Sequence, residues 1–370
     1  MGEPAGISGE ITLKSWLRLR NQRRNFSFFV LCDPQHLKQT AKKLRLKPQI
    51  TIIDNPKDAA QCFGEKLPIM PTPLKERVIP GKINPTNTTS AITSLKIATE
   101  LALQKKVDAI VTNPLNKKSL YDAGFKYPGH TEFIAAKCSK DRKSKLKPTM
   151  LIISPKINVA PVTIHLPLSE AITTVSKKLI VLTTLNATNF LNDLGLKKPR
   201  VAIAGINPHA GEDGSIGKEE KTIIIPAINQ LKKGGLDVDG PCAADSLFSQ
   251  QNLKYYNLFI CMYHDQALIP AKTIDFQNGV NVTAGIPIIR TSPDHGTALD
   301  IAGKNTADET SLVSAIKIAA KVATLRRKKN CVVLRGEGTA QHGEKTHLNP
   351  AWQEVRRVVG RTRPRRTAAA

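Results

Sequence analysis

The sequence predicts an α/β protein with a largely parallel sheet, and two observations support this class. Short β-branched runs alternate with longer segments of helical periodicity, which is the pattern that βαβ units produce. Polar residues follow several of the apolar runs, as expected where parallel strands end at one rim of a sheet. The chain has 370 residues, of which 41% are hydrophobic. It can therefore bury one large core or two domain-sized ones, and we favour two.

Five apolar runs are predicted to be strands, because each contains several apolar residues and is followed by turn chemistry. They are "VDAIVTN", "TMLIISP", "NVAPVTIH", "RVAIAGIN" and "NLFICMYH". Two helical segments lie between them. Residues 90–106, "SAITSLKIATELALQKK", carry apolar residues at helical spacing. Residues 167–195, "PLSEAITTVSKKLIVLTTLNATNFLNDLG", begin with a proline and end with a glycine, as helices often do.

Cysteine spacing and hydropathy exclude several classes of protein. The six cysteines are scattered without a CxxC pair, which argues against a zinc ribbon and against a disulfide framework. No apolar run approaches the roughly 18 residues that a membrane span requires. The start, "MGEPAGISGE", lacks the pattern of a signal peptide. We therefore expect a cytoplasmic protein with no membrane partner.

The net charge of +25 raises the question of nucleic-acid binding. The basic residues are mostly dispersed lysines, aromatics make up only 5% of the chain, and no zinc-finger or RNP-like motif is present. A solvated basic surface that attracts anionic, phosphorylated metabolites is the favoured interpretation. A non-catalytic protein that binds nucleic acid through its basic surface stays open as an alternative.

The composition changes abruptly after residue 330. The body of the chain is rich in lysine, whereas residues 331–370 use mainly arginine and end in "RTRPRRTAAA" without apolar periodicity. We predict that residues 331–370 form an atypical, basic and poorly ordered tail that adds nothing to the core.

Four of the predicted strands end in polar residues that can meet at one rim of the sheet. Asn113 and Lys117 follow one strand, and His165, His209 and His264 follow three others. Three histidines without a thiolate suit zinc, cobalt, manganese or magnesium, with positions left open for a substrate. The pattern thus predicts a catalytic metal site. The alternative is that each histidine only caps its own loop.

Six motifs, in order along residues 1–327, resemble the 4-hydroxythreonine-4-phosphate dehydrogenase family of pyridoxal phosphate biosynthesis. They are "GEPAGI" (2–7), "GHTEF" (129–133), "INPHAGEDGSIGKEE" (206–220), "GPCAADSLF" (240–248), "YHDQALIPAK" (263–272) and "VNVTAGIPIIRTSPDHGTALDIAG" (280–303). The resemblance implies two α/β/α domains like those of isopropylmalate dehydrogenases, with the active site in the interdomain cleft of a homodimer. We assign residues 1–125 plus 283–330 to the first domain and 126–282, with the dimer contacts, to the second.

The resemblance also implies the roles of individual residues. His165, His209 and His264 become ligands of one divalent metal, with His264 arriving from the partner subunit. The implied substrate-binding residues are His130, Thr131, Lys272, Asn281 and Arg290. Among these, Lys272 and Arg290 can supply fixed positive charge to a phosphorylated substrate. Lys272, Asp245 and Asp265 are the candidate catalytic residues, with Lys272 or a water near Asp245 handling the proton.

The cofactor assignment rests on the same resemblance. No GxGxxG follows a strand, which argues against a Rossmann domain. Residues 294–304, "DHGTALDIAGK", are instead similar to the adenosine-side NAD loop of isopropylmalate dehydrogenases. The implied cofactor-binding residues are Asp294, His295, Gly296, Thr297 and Gly303. We expect NAD rather than NADP.

The implied reaction is an NAD(P)- and metal-dependent oxidation of 4-phosphohydroxy-L-threonine. Its product, 2-amino-3-oxo-4-phosphooxybutanoate, is a β-keto acid that decarboxylates to 3-amino-2-oxopropyl phosphate. The alternative is a sister dehydrogenase acting on another phosphorylated hydroxy acid, such as 4-phosphothreonate or 4-phosphoerythronate, because the motifs do not separate these substrates.

The sequence departs from the family pattern at its beginning. Family members carry an apolar strand ahead of "GEPAGI", whereas Met1 directly precedes that motif here. We therefore expect one core strand to be absent and an exposed strand edge in its place. Ser8 also stands where the family has a glycine.

Overall fold

A computed structural model of the protein describes residues 1–139 and 146–336. The described strands form two sheets, one of three strands and one of eight. In chain order the strands are β1 (Val30–Cys32), β2 (Ile50–Ile52), β3 (Leu67–Pro71), β4 (Ala109–Val111), β5 (Thr149–Ile153), β6 (Asn158–Pro161), β7 (Val201–Ala204), β8 (Val238–Cys242), β9 (Leu258–Cys261), β10 (Val280–Ala284) and β11 (Ile289–Pro293).

Helices cover these sheets, and several of them begin at a capping side chain. The helices are α1 (Ser8–Leu19), α2 (Pro34–Lys43), α3 (Ala59–Cys62), α4 (Pro85–Leu103), α5 (Lys117–Asp122), α6 (His130–Cys138), α7 (Leu168–Thr174), α8 (Lys177–Asp193), α9 (Ile225–Lys233), α10 (Ala244–Leu247), α11 (Gln250–Tyr255), α12 (His264–Asp275) and α13 (Thr310–Gly336). The side chains of Asp33, Asn84 and Asn116 accept hydrogen bonds from the first turns of α2, α4 and α5. Such caps satisfy backbone N–H groups that a helix leaves without partners.

The α/β class is confirmed, and all five predicted strands are present as β4, β5, β6, β7 and β9. The small sheet, in the order β1-β3-β2, is parallel as expected. The large sheet, in the order β4-β11-β10-β5-β6-β9-β7-β8, is mixed rather than largely parallel. Its antiparallel pairings are β5 with β6, β5 with β10 and β10 with β11. Two of these pairs are joined by connections of a few residues, which are too short for the crossover that parallel strands require.

The large sheet is buried between helices. On one face α8, α9 and α13 pack over a core that includes Leu151, Phe190 and Ile260. On the other face α12 covers a second core that includes Phe259 and Leu268. Because both faces are covered, β7 and β9 are apolar and buried at every position.

The long helix predicted over residues 167–195 is two helices, α7 and α8. The break falls at Val175, whose backbone is extended, and at Ser176, whose side-chain oxygen accepts a hydrogen bond from the Leu179 N–H. Ser176 therefore starts a new helix, because a serine oxygen competes well for backbone donors at a helix N-terminus.

The last helix passes the predicted start of the tail. α13 continues through residues 331–336, so the change in composition at residue 330 does not coincide with the end of regular structure. Residues 337–370 lie outside the described part of the chain. The predicted domain boundaries stay predictions. Within residues 1–139 and 146–336, no helix has both the length and the apolar character needed to cross a membrane.

Candidate active site

Three of the predicted site residues follow three adjacent parallel strands. β6, β9 and β7 are neighbours in that order and run in the same direction. His165 follows β6, His264 follows β9 and His209 follows β7. The sheet therefore delivers all three histidines to the same end, which is where open α/β sheets bind their ligands.

His165 and His264 form a pair in space, called here the histidine pair. The chain beyond β6 stays bonded to the chain beyond β9, because the Val162 N–H donates to Cys261 O at 2.7 Å and the Thr163 N–H to Met262 O at 3.2 Å. The two imidazole rings consequently lie 5.5 Å apart, centroid to centroid. The resemblance implied that His264 arrives from a partner subunit. In this structure His264 lies beside His165 of its own chain.

His264 is held by the residues that follow it. Asp265 Oδ1 lies 2.9 Å from His264 Nδ1, so the Asp265 carboxylate fixes the orientation of the ring and leaves Nε2 free of that bond. Gln266 accepts a hydrogen bond from Met262 N–H at 2.7 Å and donates to Gly205 O at 2.9 Å. The start of α12 is thus tied to the end of β7.

His209 lies in a left-handed turn directly after β7. Residues 209–213 all have positive φ angles, including 51° at His209, 53° at Ala210 and 39° at Glu212. This conformation costs about 1–2 kcal/mol at each non-glycine residue. The buried carboxylate of Glu220 holds the turn in place, because it accepts hydrogen bonds from the Ile206 and Asn207 N–H groups, both at 2.8 Å. His165 also has a positive φ, 50°, and strain of this kind concentrates at functional sites.

The histidines fit a divalent metal only in part. Burial, the Lys117 charge and the neighbouring His264 lower the pKa of His165, so that ring is neutral and able to bind a metal at neutral pH. Within the described residues, however, no group of three His, Cys, Asp or Glu side chains is arranged to hold a metal ion. The histidine pair offers two metal ligands. His209 lies at the same end of the sheet but does not form a three-ligand group with them.

A second centre surrounds Arg290 on β11, whose side chain is completely buried. Its guanidinium donates to Thr283 Oγ1 at 3.0 Å, to Thr112 Oγ1 at 2.7 Å and to His130 Nε2. We call these four residues the Arg290 centre. Its Nε is buried and has no hydrogen-bond partner. Parallel pairing of β11 with β4 and antiparallel pairing with β10 bring Thr112 and Thr283 to the arginine.

The Arg290 centre is a buried positive charge without an anion. None of the ion pairs formed by the described residues includes Arg290. Burial lowers the pKa of Arg290 to about 9, and the Glu132 charge opposes that shift. Burial, Arg290 and Lys117 lower the pKa of His130 well below its usual value. His130 is therefore neutral, and its Nε2 accepts a hydrogen bond from the guanidinium. A buried cation of this kind is stabilised strongly when an anion binds to it.

Lys117 and Glu132 connect the two centres. The Lys117 charge lowers the pKa of both His130 and His165, and the Glu132 charge raises the pKa of both Arg290 and His165. A charge shifts the pKa of a group most when it lies within about 4–6 Å, and its effect weakens with distance. The Arg290 centre and the histidine pair therefore belong to one site.

The other predicted substrate residues lie around this site. Thr131 follows His130 in the first turn of α6. Asn281 lies two residues from Thr283 on β10 and so shares its face of the sheet. Lys272 Nζ lies 3.9 Å from Asp294 Oδ2. Burial raises the pKa of Asp294, and the charges of Lys272, His295 and His264 act in the opposite direction.

Asp245 and Asp265 are placed differently from this group. Asp245 is exposed and hydrogen bonds to the Ser246 N–H at 3.0 Å. Its short helix, α10, packs against the His209 turn. Asp265 is largely exposed and contacts His264. Neither carboxylate contacts Lys272, so the three predicted catalytic residues do not form one cluster here.

The predicted cofactor loop, residues 294–303, packs against the start of the chain. The Ile7 N–H donates to Thr297 O at 3.1 Å, and a Cβ on Gly6 would lie only 2.6 Å from that oxygen. A Cβ on Gly296 would meet no atom within 4 Å, so the backbone there is open to a ligand. His295 Nε2 is buried without a hydrogen-bond partner. A glycine that leaves the backbone accessible and an unpaired imidazole nitrogen fit a nucleotide cofactor.

Sequence reasoning missed four residues that shape the site. Thr112, Thr283, Glu132 and Glu220 act only through contacts that the fold creates, and a threonine in an apolar strand gives no distinctive pattern. Glu220 ends the quoted motif "INPHAGEDGSIGKEE". An acidic residue that follows a glycine-rich turn is the one sequence feature that could have pointed to its role in holding that turn. The fold and the site together define an α/β protein with a buried guanidinium that forms no ion pair with the described residues.

Comparison with known proteins gives the family. The sequence profile of the pyridoxal phosphate biosynthetic protein PdxA matches residues 24–319. A 4-hydroxythreonine-4-phosphate dehydrogenase of Bradyrhizobium diazoefficiens is 42% identical over 334 residues, which cover 88% of this chain and 96% of the relative. The enzyme of the same name from Xanthobacter autotrophicus is 42% identical over 327 residues, 87% of this chain and 92% of the relative. The chain belongs to the PdxA family.

Solved structures agree with this assignment. The 4-hydroxythreonine-4-phosphate dehydrogenase of Klebsiella pneumoniae superposes with a TM-score of 0.75 at 35% identity, covering 87% of this chain and 96% of the other. A terephthalate 1,2-cis-dihydrodiol dehydrogenase of Burkholderia xenovorans shares the fold at 23% identity, with a TM-score of 0.60 over 87% of this chain and 96% of that one. The isopropylmalate dehydrogenase-like α/β fold implied by the sequence is therefore confirmed.

Proposed function

We propose that the protein is the 4-hydroxythreonine-4-phosphate dehydrogenase of its organism. It oxidises 4-phosphohydroxy-L-threonine with NAD, and the resulting 2-amino-3-oxo-4-phosphooxybutanoate decarboxylates to 3-amino-2-oxopropyl phosphate. Family membership supports the reaction class. The observation that carries the choice of substrate is Arg290, a buried guanidinium with three hydrogen bonds and no anionic partner.

The Arg290 centre binds an anionic group of the substrate. A phosphate offers the negative charge that the buried guanidinium lacks, and its oxygens could also accept from Thr131, Asn281 and Lys272, the other substrate-binding residues that the resemblance implies. Charge-assisted hydrogen bonds of this kind are about twice as strong as neutral ones. His130, held neutral, keeps the guanidinium in place without neutralising it.

His165, His264 and His209 would hold one divalent metal ion, Zn, Mg, Co or Mn. Bound there, the metal supplies Lewis-acid stabilisation of negative charge that develops on the substrate oxygen. The three rings are not grouped within the described part of one chain, so either the turn that carries His209 moves toward the histidine pair or, as the resemblance implies, His264 of the partner subunit completes the set. The open backbone at Gly296 and the unpaired His295 ring receive the adenosine side of NAD.

Oxidation of the secondary alcohol releases a proton and a hydride. NAD would accept the hydride, and Lys272 or a water near Asp245 would handle the hydroxyl proton; Asp294 Oδ2 lies 3.9 Å from Lys272 Nζ. Unchanged pH–rate behaviour in Lys272→Ala would remove Lys272 from this role. Asp265 orients His264 and does not exchange the proton itself.

The proposed active unit is a homodimer. Several large apolar side chains on the elements that follow the two histidines are exposed: Leu168 at the start of α7 is 57% exposed, Ile269 on α12 is 65% exposed, and Phe276 just after α12 is 63% exposed. Apolar surface of this extent around a site is typical of a protein interface. Sedimentation of the wild type and of Ile269→Glu tests the dimer. A cytoplasmic location stays a prediction.

A sister substrate, 4-phosphothreonate or 4-phosphoerythronate, is the alternative, because it presents the same phosphate to the Arg290 centre. The test is NADH formation by purified protein with each of the three substrates, with chelator and with divalent metal restored. We expect turnover of 4-phosphohydroxythreonine that chelator abolishes and metal restores. Turnover of only a sister substrate would change the substrate assignment. Failure of all three in a folded, metal-loaded protein would overturn the proposal.

A further inference from the structure

The carboxylate of Glu132 reaches both centres of the site. Glu132 is the third residue of α6, two positions after His130. Burial lowers the pKa of Arg290 in one centre and of His165 in the other, and the Glu132 charge opposes both shifts. A Cβ placed on Gly129 would lie 2.9 Å from Glu132 Oε2. The carboxylate therefore turns back toward the end of α6 at which His130 meets Arg290.

This carboxylate has no cationic partner in the described part of the chain. Two other acids near the centres are paired, Asp265 with His264 at 2.9 Å and Asp294 with Lys272 at 3.9 Å. None of the ion pairs that the described residues form includes Glu132. Its side chain is only partly buried, so a ligand can reach it.

The charges of the site suit a ligand that carries both signs. Arg290 and Lys117 form no ion pair with other described residues, and they attract anionic groups. Glu132 adds an unpaired negative charge, which repels a purely anionic ligand and attracts one that also carries a cation. An ammonium group fits this carboxylate, because it donates up to three hydrogen bonds and a carboxylate only accepts them.

We propose that the Glu132 carboxylate binds the α-ammonium group of the substrate and so selects an amino acid over the corresponding hydroxy acid. In 4-phosphohydroxythreonine the ammonium group is on the carbon next to the alcohol carbon that is oxidised, and the phosphate is on the carbon at the other side. A carboxylate that reaches both Arg290 and His165 suits that arrangement. The inference rests on the proposed function, because it concerns a ligand group of the same site.

Two structural roles for Glu132 would not require a ligand. An acid in the first turn of a helix stabilises the N-terminus of that helix, and a negative charge near Arg290 offsets part of the cost of its burial. Both roles act alike on every substrate that binds at the site. Only recognition of the ammonium group makes the effect of Glu132 depend on whether the ligand has an amino group.

The test compares the binding of 4-phosphohydroxythreonine with that of 4-phosphothreonate, which has a hydroxyl in place of the amino group. Isothermal titration calorimetry of the protein supplied with Zn²⁺, without NAD, gives a Kd for each compound. The wild type should bind the amino acid at least about tenfold more tightly, because charge-assisted hydrogen bonds are about twice as strong as neutral ones. In Glu132→Gln, which keeps the size of the side chain, that preference should fall about tenfold or more. The affinity for 4-phosphothreonate should stay the same or rise, since a negative charge has been removed.

Glu65→Gln is the matched control, because it removes one negative charge at an exposed residue between α3 and β3 and should leave both Kd values unchanged. Thermal unfolding of Glu132→Gln measures any lost contribution to α6. A wild type without a preference for the amino acid, or a parallel change of both Kd values in Glu132→Gln, would overturn the inference. Binding is measured without NAD and so does not depend on turnover. A protein that shows the expected preference but forms no NADH would contradict the proposed reaction and leave the role of Glu132 standing.

Discussion

The Arg290 centre and the histidine pair belong to one site but differ in how complete they are. Arg290 is completely buried and holds hydrogen bonds to two threonines and a neutral histidine. The histidine pair is partly exposed, and it supplies two ligands where a metal needs three or more. On the proposed function, the first centre is already arranged to bind an anion, whereas the histidine pair needs a further ligand before it can hold a metal. We therefore expect substitutions at the Arg290 centre to impair substrate binding and substitutions at the histidine pair to impair metal binding.

The largest effect is expected for Arg290→Met. Loss of one partner of a buried charge pair costs about 2–5 kcal/mol, so kcat/KM for 4-phosphohydroxythreonine should fall by about 10²–10³-fold. The stability of the free protein should change much less, because Met removes the cost of burying an unpaired charge together with the three hydrogen bonds. Steady-state kinetics measure kcat/KM, and thermal unfolding measures the stability.

The matched control, Arg290→Lys, keeps a charge but loses the hydrogen bonds to Thr112 and Thr283. A variant that unfolds at a much lower temperature than the wild type would make Arg290 a structural residue instead.

Next in size are His165→Ala and His264→Ala. Each removes one of the two rings that already lie together, so the affinity for Zn²⁺ should fall by about 100-fold or more. Equilibrium dialysis against Zn²⁺ measures the loss. His209→Ala should weaken binding less, since its turn must rearrange before it contributes. If His209→Ala lowered the Zn²⁺ affinity as much as the other two variants do, His209 would already lie in position to bind the metal. The two centres would then not differ in how complete they are.

Thr112→Val tests the Arg290 centre more gently. The change leaves a buried guanidinium N–H without its acceptor 2.7 Å away, and a lost hydrogen bond to a charged group is worth about 1.5–3 kcal/mol. We expect KM to rise about tenfold or more while kcat changes little, as measured by initial rates over substrate concentration. Thr291→Val is the control, because Thr291 bonds to Ala315 O on the other face of the sheet. Equal effects from the two variants would contradict a specific role for Thr112.

The pH dependence of KM should separate the centres without any substitution. The pKa of Arg290 is lowered by burial to about 9, so the free protein loses this positive charge as the pH rises through that value. An anion then binds less well, and KM should rise about tenfold per pH unit above about 9. Metal affinity should not fall over the same range, because neutral imidazoles remain ligands. A flat KM up to pH about 11 would show that substrate binding does not use this charge.

The smallest expected effect is outside both centres, at Ser176. Ser176→Ala removes the cap of α8 and should lower the free energy of unfolding by about 1 kcal/mol. Chemical denaturation measures the change, and kcat/KM should be unaffected. A loss of activity at native stability would link α8 to the site.

The sequence predicted the positions of the strands and histidines better than their assembly. Apolar runs identify β6, β7 and β9 because buried strands leave a continuous signal, and the histidines after them follow from the rule for sheet ends. The antiparallel pairs of the large sheet were not predicted, since short connections such as residues 154–157 resemble ordinary loops. Thr112 and Thr283 were missed because their role depends on register across β4, β11 and β10. Arg290 was identified by resemblance, but only its burial shows it to be a cation without an anion.

The most direct test is the rate of NADH formation from 4-phosphohydroxythreonine compared with 4-hydroxythreonine, which lacks the phosphate. If the buried guanidinium of Arg290 binds that phosphate, kcat/KM for the unphosphorylated compound should be about 10²–10³-fold lower, and the difference should shrink in Arg290→Met. Comparable kcat/KM values for the two compounds in the wild type would contradict the account.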